Sequence, residues 1–306
     1  MKKEKEIKNI PASVRARLTN KSKDTNRPFA EVLQYYAMER FLYRLGQTEY
    51  RDWFILKGAL MFAVWRVNES RATMDIDLLG QFENRITKVE SIIKDICRTE
   101  VPGDGLLFDP GTVKVRKIKE GAEYEGVRVK FTGFLERSRI WMQVDIGFGD
   151  AVYPKPQIID YPVILDFPKP RIKGYPIETV VAEKFEAMVK LGVLNSRMKD
   201  FYDVWVMIRQ FNFEGESLVR ALEKTFAHRK TAFPDKPPFF VDTIYKTNSD
   251  QQELWRGFLN TLKAKHAPGT LSEVAKLIEA FLKKPIKSLA QKKGFDGKWK
   301  APGPWR

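Results

Sequence analysis

The sequence predicts an α+β protein: N-terminal helices, a small mixed sheet, and then a helical domain. Three observations carry that expectation. Apolar residues recur at three- and four-residue steps from Phe29 to Leu45, and they alternate with charged residues between Val113 and Phe148. Helical spacing then returns after a proline-rich stretch that ends at Pro176. A chain of 306 residues has room for about two domains. The change of period divides it into helices plus sheet over 1–175 and helices plus a basic tail over 176–306.

Pro28 suits a first helical position, and Phe29, Val32, Leu33, Tyr36, Ala37, Phe41 and Leu45 form one stripe that Gly46 ends. Arg40 and Arg44 fall off that stripe and are expected on a solvated face. Phe54-Ile55-Leu56 predicts a short buried strand, which Lys57-Gly58 breaks before an apolar helix over Ala59–Trp65. Met74–Leu79 predicts a second strand and Glu83–Thr99 a helix. Val113–Ile118 and Val127–Thr132 alternate across Glu120-Gly121 as a half-solvated antiparallel pair, followed by a strand at Ile140–Phe148. Helices are expected on one side of this sheet. Pro154, Pro156, Pro162, Pro168, Pro170 and Pro176 make Tyr153–Pro176 an extended, stiff connector between sheet and helices. Helices are predicted at Ile177–Leu191, Lys199–Phe211, Glu214–Thr225, Gln251–Lys265 and Leu271–Leu282. Thr270 and Glu273 are spaced as a capping box for the last of these. Lys283–Arg306 is expected to be a loose basic tail.

Composition excludes several classes of function. With 43% hydrophobic and 12% aromatic residues the chain can bury a core, so it is not a disordered protein. Cys97 is the single cysteine and His228 and His266 the only histidines, which excludes a disulfide framework and a Cys/His zinc site. Cys97 is expected to be a buried, inert thiol. No apolar run reaches the ~18 residues of a membrane span, and Met1–Glu6 lacks the apolar stretch of a secretory signal. The expectation is a soluble cytoplasmic protein with no membrane partner. Lys and Arg total 54 against 39 Asp and Glu, a net charge of +15 that favours a polyanionic partner.

The sharpest chemical signal is Arg71-Ala72-Thr73-Met74-Asp75-Ile76-Asp77-Leu78. Alternate strand residues share a face, so Asp75 and Asp77 point together while Ile76 and Leu78 enter the core. Two carboxylates held this close repel unless a cation lies between them, and Mg²⁺ takes one or two carboxylates plus substrate phosphates. Two solvated acids on an edge strand would give the same pattern. Asp145, in the apolar strand Gln143-Val144-Asp145-Ile146-Gly147, is a third acid. It would bridge a metal or accept a proton from an attacking hydroxyl, or else be satisfied by backbone N–H groups at a strand end. Gly58 between strand and helix aims backbone N–H groups at an anion, or makes a tight turn. Downstream, Lys184 lies beside an apolar helical stripe, directed at a cleft or at water. Asp200 and Asp203 share one face of the next helix. Asp200 suits a cap, whereas Asp203, among large apolar residues, requires a partner such as a lysine from the preceding helix.

Lys57-Gly58-Ala59 followed by Arg71-x-Thr73-x-Asp75-Ile76-Asp77-Leu78 resembles the nucleotidyltransferase core of DNA polymerase β-type enzymes. More closely, the chain resembles the AbiEii/AbiGii abortive-infection toxin family. Val14–Leu18 and Tyr36–Leu45 are similar to that family's N-terminal helices, and Val181–Met188 and Arg197–Trp205 to its later motifs. The likeness runs from Val14 to Trp205. It implies metal-dependent transfer of a nucleoside monophosphate from an NTP, with Mg²⁺ or Mn²⁺ on Asp75, Asp77 and Asp145. Asp75, Asp77, Asp145, Lys184 and Asp203 would then be catalytic. Lys57, Gly58, Ala59, Arg71, Thr73, Lys199 and Asp200 would serve the nucleotide. Polymerase β-type enzymes commonly carry Gly-Ser where this chain has Gly58-Ala59, so a hydroxyl contact to the triphosphate is absent.

The family's acceptors include the 3′ end of tRNA, which the positive charge also suits. The expected function is therefore a toxin of a toxin–antitoxin system that blocks translation by adding nucleotides to RNA, with a cognate antitoxin as partner. In some members a kinase-like antitoxin phosphorylates a Ser at the position of Thr73. Competing expectations are a nucleotidyltransferase acting on a protein or small molecule, a three-acid nuclease, and a non-catalytic nucleic-acid-binding protein.

Overall fold

The computed structural model describes residues 9–67, 71–120, 124–234, 236–262 and 266–306. The chain forms two compact units. One comprises Met1–Trp65, Ala72–Gly149 and Gln157–Gly174; the other comprises Arg66–Arg71, Asp150–Pro156 and Tyr175–Arg306.

The first unit begins with α1 (Ile10–Thr25), whose N-cap Asn9 accepts the Ala12 N–H. It continues through α2 (Phe29–Gly46), β1 (Phe54–Lys57), a 3₁₀ turn at Gly58–Leu60, α3 (Met61–Val64), β2 (Ile76–Gly80) and α4 (Ile86–Arg98). Five strands complete it: β3 (Leu106–Glu120), β4 (Tyr124–Leu135), β5 (Ser138–Phe148), β6 (Gln157–Asp160) and β7 (Arg171–Gly174). They form one mixed sheet in the order β3-β4-β5-β2-β1-β7-β6. β2 runs parallel to β5 and antiparallel to β1, while β1 is parallel to β7. Val14 and Leu18 of α1, Phe41 of α2 and Val89, Ile93 and Ile96 of α4 share a core with Val129, Met142 and Val144 of the sheet. Along β5, Ile140, Met142 and Val144 are buried in this core, whereas the alternate residues Arg139 and Trp141 are exposed.

Two expectations for this unit are corrected. Arg40 and Arg44 are not solvated; both are buried. Arg44 forks onto Asp104 at 2.7 and 3.0 Å, and Arg40 reaches Asp104 at 3.4 Å and the Pro168 carbonyl at 2.9 Å. α2 is enclosed on nearly every side, so its off-stripe cations must be paired inside. The proline-rich segment is extended but does not simply separate sheet from helices: it supplies β6 and β7, and Tyr161 and Leu165 enter the core. The strand expected at Met74 begins at Ile76 and the helix expected at Glu83 begins at Ile86. Cys97 is buried, and burial pushes its thiol up to about 12. Gly121 of the expected turn, Met1–Glu6 and Lys265 lie outside the described residues.

The second unit contains α5 (Ile177–Leu191), α6 (Met198–Gln210), β8 (Phe213–Glu214), α7 (Gly215–His228), α8 (Asp250–Leu262), α9 (Leu271–Ala290) and β9 (Lys298–Trp299). Thr270 caps α9: its hydroxyl accepts the Glu273 N–H and lies 2.6 Å from the Glu273 carboxylate. α9 does not stop at Leu282 but continues through the buried Pro285 to Ala290. Nor is the C-terminal segment loose. Trp299 and Trp305 are buried, their indoles donate to the Ile208 and Phe281 carbonyls, and β9 pairs with β8. Aromatic burial outweighs the local lysine content there. Among the described residues no helix is long and apolar enough to cross a membrane.

Candidate active site

β2 lies between β1 and β5, and its register decides which side chains meet. Asp77 pairs with Lys57 of β1 on one side and with Asp145 of β5 on the other; Asp145 in turn pairs with Arg128 of β4. Lys57, Asp77, Asp145 and Arg128 therefore form one row across four strands, two acids flanked by two cations. Paired residues in adjacent strands project from the same face of a sheet. Asp75 precedes β2 by one residue and completes the group. Asp75, Asp77 and Asp145 each offer a carboxylate oxygen, and these oxygens lie within 4.8 Å of one another.

Each acid is held in place. Arg128 donates through Nε at 2.8 Å and Nη2 at 2.6 Å to the two oxygens of Asp145, and the Gln143 amide adds a donor at 3.3 Å. The Thr73 hydroxyl donates to Asp75, and the Thr73 N–H donates to the Tyr35 hydroxyl at 3.0 Å. Gly58 closes the group from the β1 side. Its φ is +68°, and a Cβ built on it would stand 2.0 Å from an Asp77 oxygen. Both the left-handed backbone and the close approach require glycine. Ala59 behind it is buried in the short 3₁₀ turn.

Three oxygen donors at this separation suit a hard divalent cation, and Arg128 offsets only part of their charge. Arg128 escaped the sequence reading. Its signal was present in the alternation of β4, where Arg128 and Lys130 occupy the face opposite the core, but the partner strand and register were needed to place it.

The remaining site candidates fall in the second unit and form an ion cluster there. Lys184 of α5 reaches Asp200 at 2.6 Å and Asp203 at 2.9 Å. Arg71 donates to both oxygens of Asp203 at 3.2 Å, and Arg197 lies 2.6 Å from Asp200. Asp200 and Asp203 are buried, and Asp200 is paired as well as lying in the first turn of α6. Burial works against the Lys184 charge, but Asp200 and Asp203 outweigh it and hold the ammonium above its usual range. Burial likewise opposes the Asp200 carboxylate, yet Lys184 and Arg197 hold it below its ordinary value. Lys199 is exposed on the first turn of α6. A further buried group was not foreseen: Arg229 pairs with Glu186 at 2.8 Å, Asp150 at 3.1 Å and Glu183 at 3.6 Å.

Two solved structures are similar over most of the chain. One is a protein from H. pylori classed as a candidate nucleotidyltransferase, 11% identical, covering 85% of this chain and 96% of its own, with a TM-score of 0.46. The other is JHP933 from Helicobacter pylori, 14% identical, covering 86% of this chain and 97% of its own, with a TM-score of 0.44. No curated protein matches the sequence. The family model for the nucleotidyl transferase AbiEii toxin of type IV toxin–antitoxin systems matches residues 40–285, a span that contains Gly58, the three clustered acids and the Lys184 group, and the chain belongs to that family.

Proposed function

We propose that this protein is a Mg²⁺-dependent nucleotidyltransferase toxin that moves a nucleoside monophosphate from an NTP onto RNA, with the tRNA 3′ end as acceptor, and so blocks translation. The observation that carries this reading is the cluster of Asp75, Asp77 and Asp145, with oxygens within 4.8 Å in a row flanked by Lys57 and Arg128. Asp75 and Asp77 would hold Mg²⁺, or Mn²⁺ in its place, with Asp145 as the third ligand. The bound ion would neutralise charge on the triphosphate and on the departing pyrophosphate. In the reaction the acceptor hydroxyl oxygen bonds to the α-phosphorus, the bond from that phosphorus to pyrophosphate breaks, and the hydroxyl proton leaves.

Asp145 is suited to receive that proton, because the Arg128 fork fixes its carboxylate in one orientation. Lys57 and the backbone N–H groups at Gly58 and Ala59 would face the phosphates. The family resemblance extends the nucleotide role to Arg71, Thr73, Lys199 and Asp200 and a catalytic role to Lys184 and Asp203. A nuclease would have no use for a triphosphate. The test is incubation of pure protein with each labelled NTP, Mg²⁺ and total RNA, with and without EDTA. Label entering tRNA only in the presence of metal is the expected result. Label entering protein, or none entering RNA, would overturn the acceptor assignment.

A further inference from the structure

The face of the first unit's sheet that carries the acids also carries groups the transfer chemistry does not use. Trp141 of β5 is 69% exposed, an unusual state for the largest apolar side chain. Register places it across from Thr132, two residues along the strand from Gln143, which lies across from Lys130. Lys130 in turn pairs with Lys114 of β3, and Arg128 pairs with Arg116. Lys114, Arg116, Lys130 and Arg139 are all exposed, and none has a carboxylate partner among the described residues. Arg139 lies 5.5 Å from the Trp141 ring and 5.9 Å from that of Phe134.

Beside Trp141 runs a groove of about 540 Å³, lined by Met74, Lys130, Arg139 and Gln143, with Asp75 in its wall. The groove is braced from below. The buried Gln34 donates to the Trp141 carbonyl at 3.1 Å and to the Met74 carbonyl at 3.3 Å, tying β5 to the segment that carries Asp75.

We infer that this groove docks the single-stranded end of the acceptor RNA, with a base stacked on Trp141 and phosphates on Lys114, Lys130 and Arg139. The inference rests on the RNA-acceptor reading above and assigns that acceptor a place on the protein. Unpaired cations beside an exposed indole match a polyanion that also presents flat rings, and that combination is a single-stranded nucleic acid. A duplex hides its base faces and could engage only the cations. An acidic peptide would use the charges and leave the indole without a partner. The track also leads to the right place, because a strand lying over Trp141 and Gln143 reaches Asp145 two residues further along β5.

The test is direct binding of a fluorescein-labelled 12-nucleotide single-stranded RNA to the full chain by anisotropy, in EDTA and without NTP, so that the acid cluster is silent. Trp141→Ala is expected to weaken Kd about tenfold, in line with the loss of one base–aromatic stack, and Trp141→Phe to restore most of it. The exposed position makes loss of folding an unlikely confounder, and a matched melting curve for each variant checks this. The double variant Lys114→Ala with Lys130→Ala should reduce the slope of log Kd against log salt by about 1. Duplex RNA of the same sequence should be indifferent to Trp141→Ala.

Parent-like binding by Trp141→Ala overturns the surface, as does tighter binding of single-stranded DNA or of a polyglutamate peptide than of the RNA. Transfer is scored separately. If the parent binds RNA through Trp141 but transfers no label to it, the docking surface stands and the acceptor reading fails. If the parent labels RNA while Trp141→Ala binds normally, the acceptor reading stands and the surface fails.

Discussion

Asp77 has a carboxylate on one side and a glycine pressed against it on the other, so its neighbours in space constrain it more than its neighbours in sequence. Asp77→Ala or Asp75→Ala should lower NMP transfer by ~10²-fold or more, the scale seen when one main electrostatic stabiliser is deleted. Either change also removes repulsion among the three acids. The melting temperature in EDTA should therefore hold or rise, and transfer within a few-fold of the parent would refute the assignment. Gly58→Ala probes the same carboxylate without touching it. A Cβ 2.0 Å from the Asp77 oxygen must displace it, and φ of +68° strains any other residue. Mg²⁺ titration of Gly58→Ala should require a higher metal concentration for half-maximal transfer, and an unshifted curve would count against the proposed ligand set. Thr73 is buried with its hydroxyl on Asp75. A phosphate there would add about −1.5 to −2 charge beside the acids and should abolish transfer. Mass spectrometry after co-expression with the neighbouring reading frame checks this. Neutralisation with Thr73 unmodified would mean that the antitoxin acts elsewhere.

At the scale of elements, α2 shows what a stripe of apolar residues cannot reveal. Its 3.6-residue period marked the helix and one buried face, but not that the opposite face is also covered, because residues 161–170 are distant in sequence and rich in proline. The same gap hid β6, β7 and the docked C-terminus, whose short strands and paired tryptophans lack any periodic signal. Asp75, Asp77 and Asp145 were legible because strand alternation is local. Arg128 and the Arg40–Asp104 pairing were not, because they depend on register and on contacts between distant segments. Glu39 follows from this enclosure. Burial pushes its carboxyl up to about 7, against the opposing pull of the Ile164 N–H and Arg40. Between the unfolded value near ~4.3 and about 7, the folded chain binds the proton more tightly, so stability falls as pH rises through that window. Each pKa unit corresponds to ~1.4 kcal/mol, which makes the total decline from this group on the order of 3 kcal/mol. Glu39→Gln should flatten that portion of a melting-temperature profile between pH 5 and 8. An unchanged profile would show that Glu39 ionises normally.

Across the whole molecule, the charge excess of +15 is carried on both units. The sheet face of the first presents Lys114, Arg116, Lys130 and Arg139, while in the second α9 exposes Lys276, Lys283, Lys284 and Lys287. Such a distribution attracts a long polyanion more than a small molecule, because each phosphate neutralised releases condensed counterions and the releases add along the chain. An NTP alone would engage only the few charges around the acids. Binding of tRNA to the full protein should therefore fall steeply with salt. Its log–log slope should be several-fold larger than that of NTP binding, with each contacted single-strand phosphate contributing about −0.7. If four to six phosphates are engaged, the slope is roughly −3 to −4, and affinity drops about a hundredfold between 50 and 200 mM salt. Filter binding of labelled tRNA over that range measures it directly. A flat dependence would mean that the positive charge serves no nucleic acid, and would move the acceptor to a protein or a small molecule.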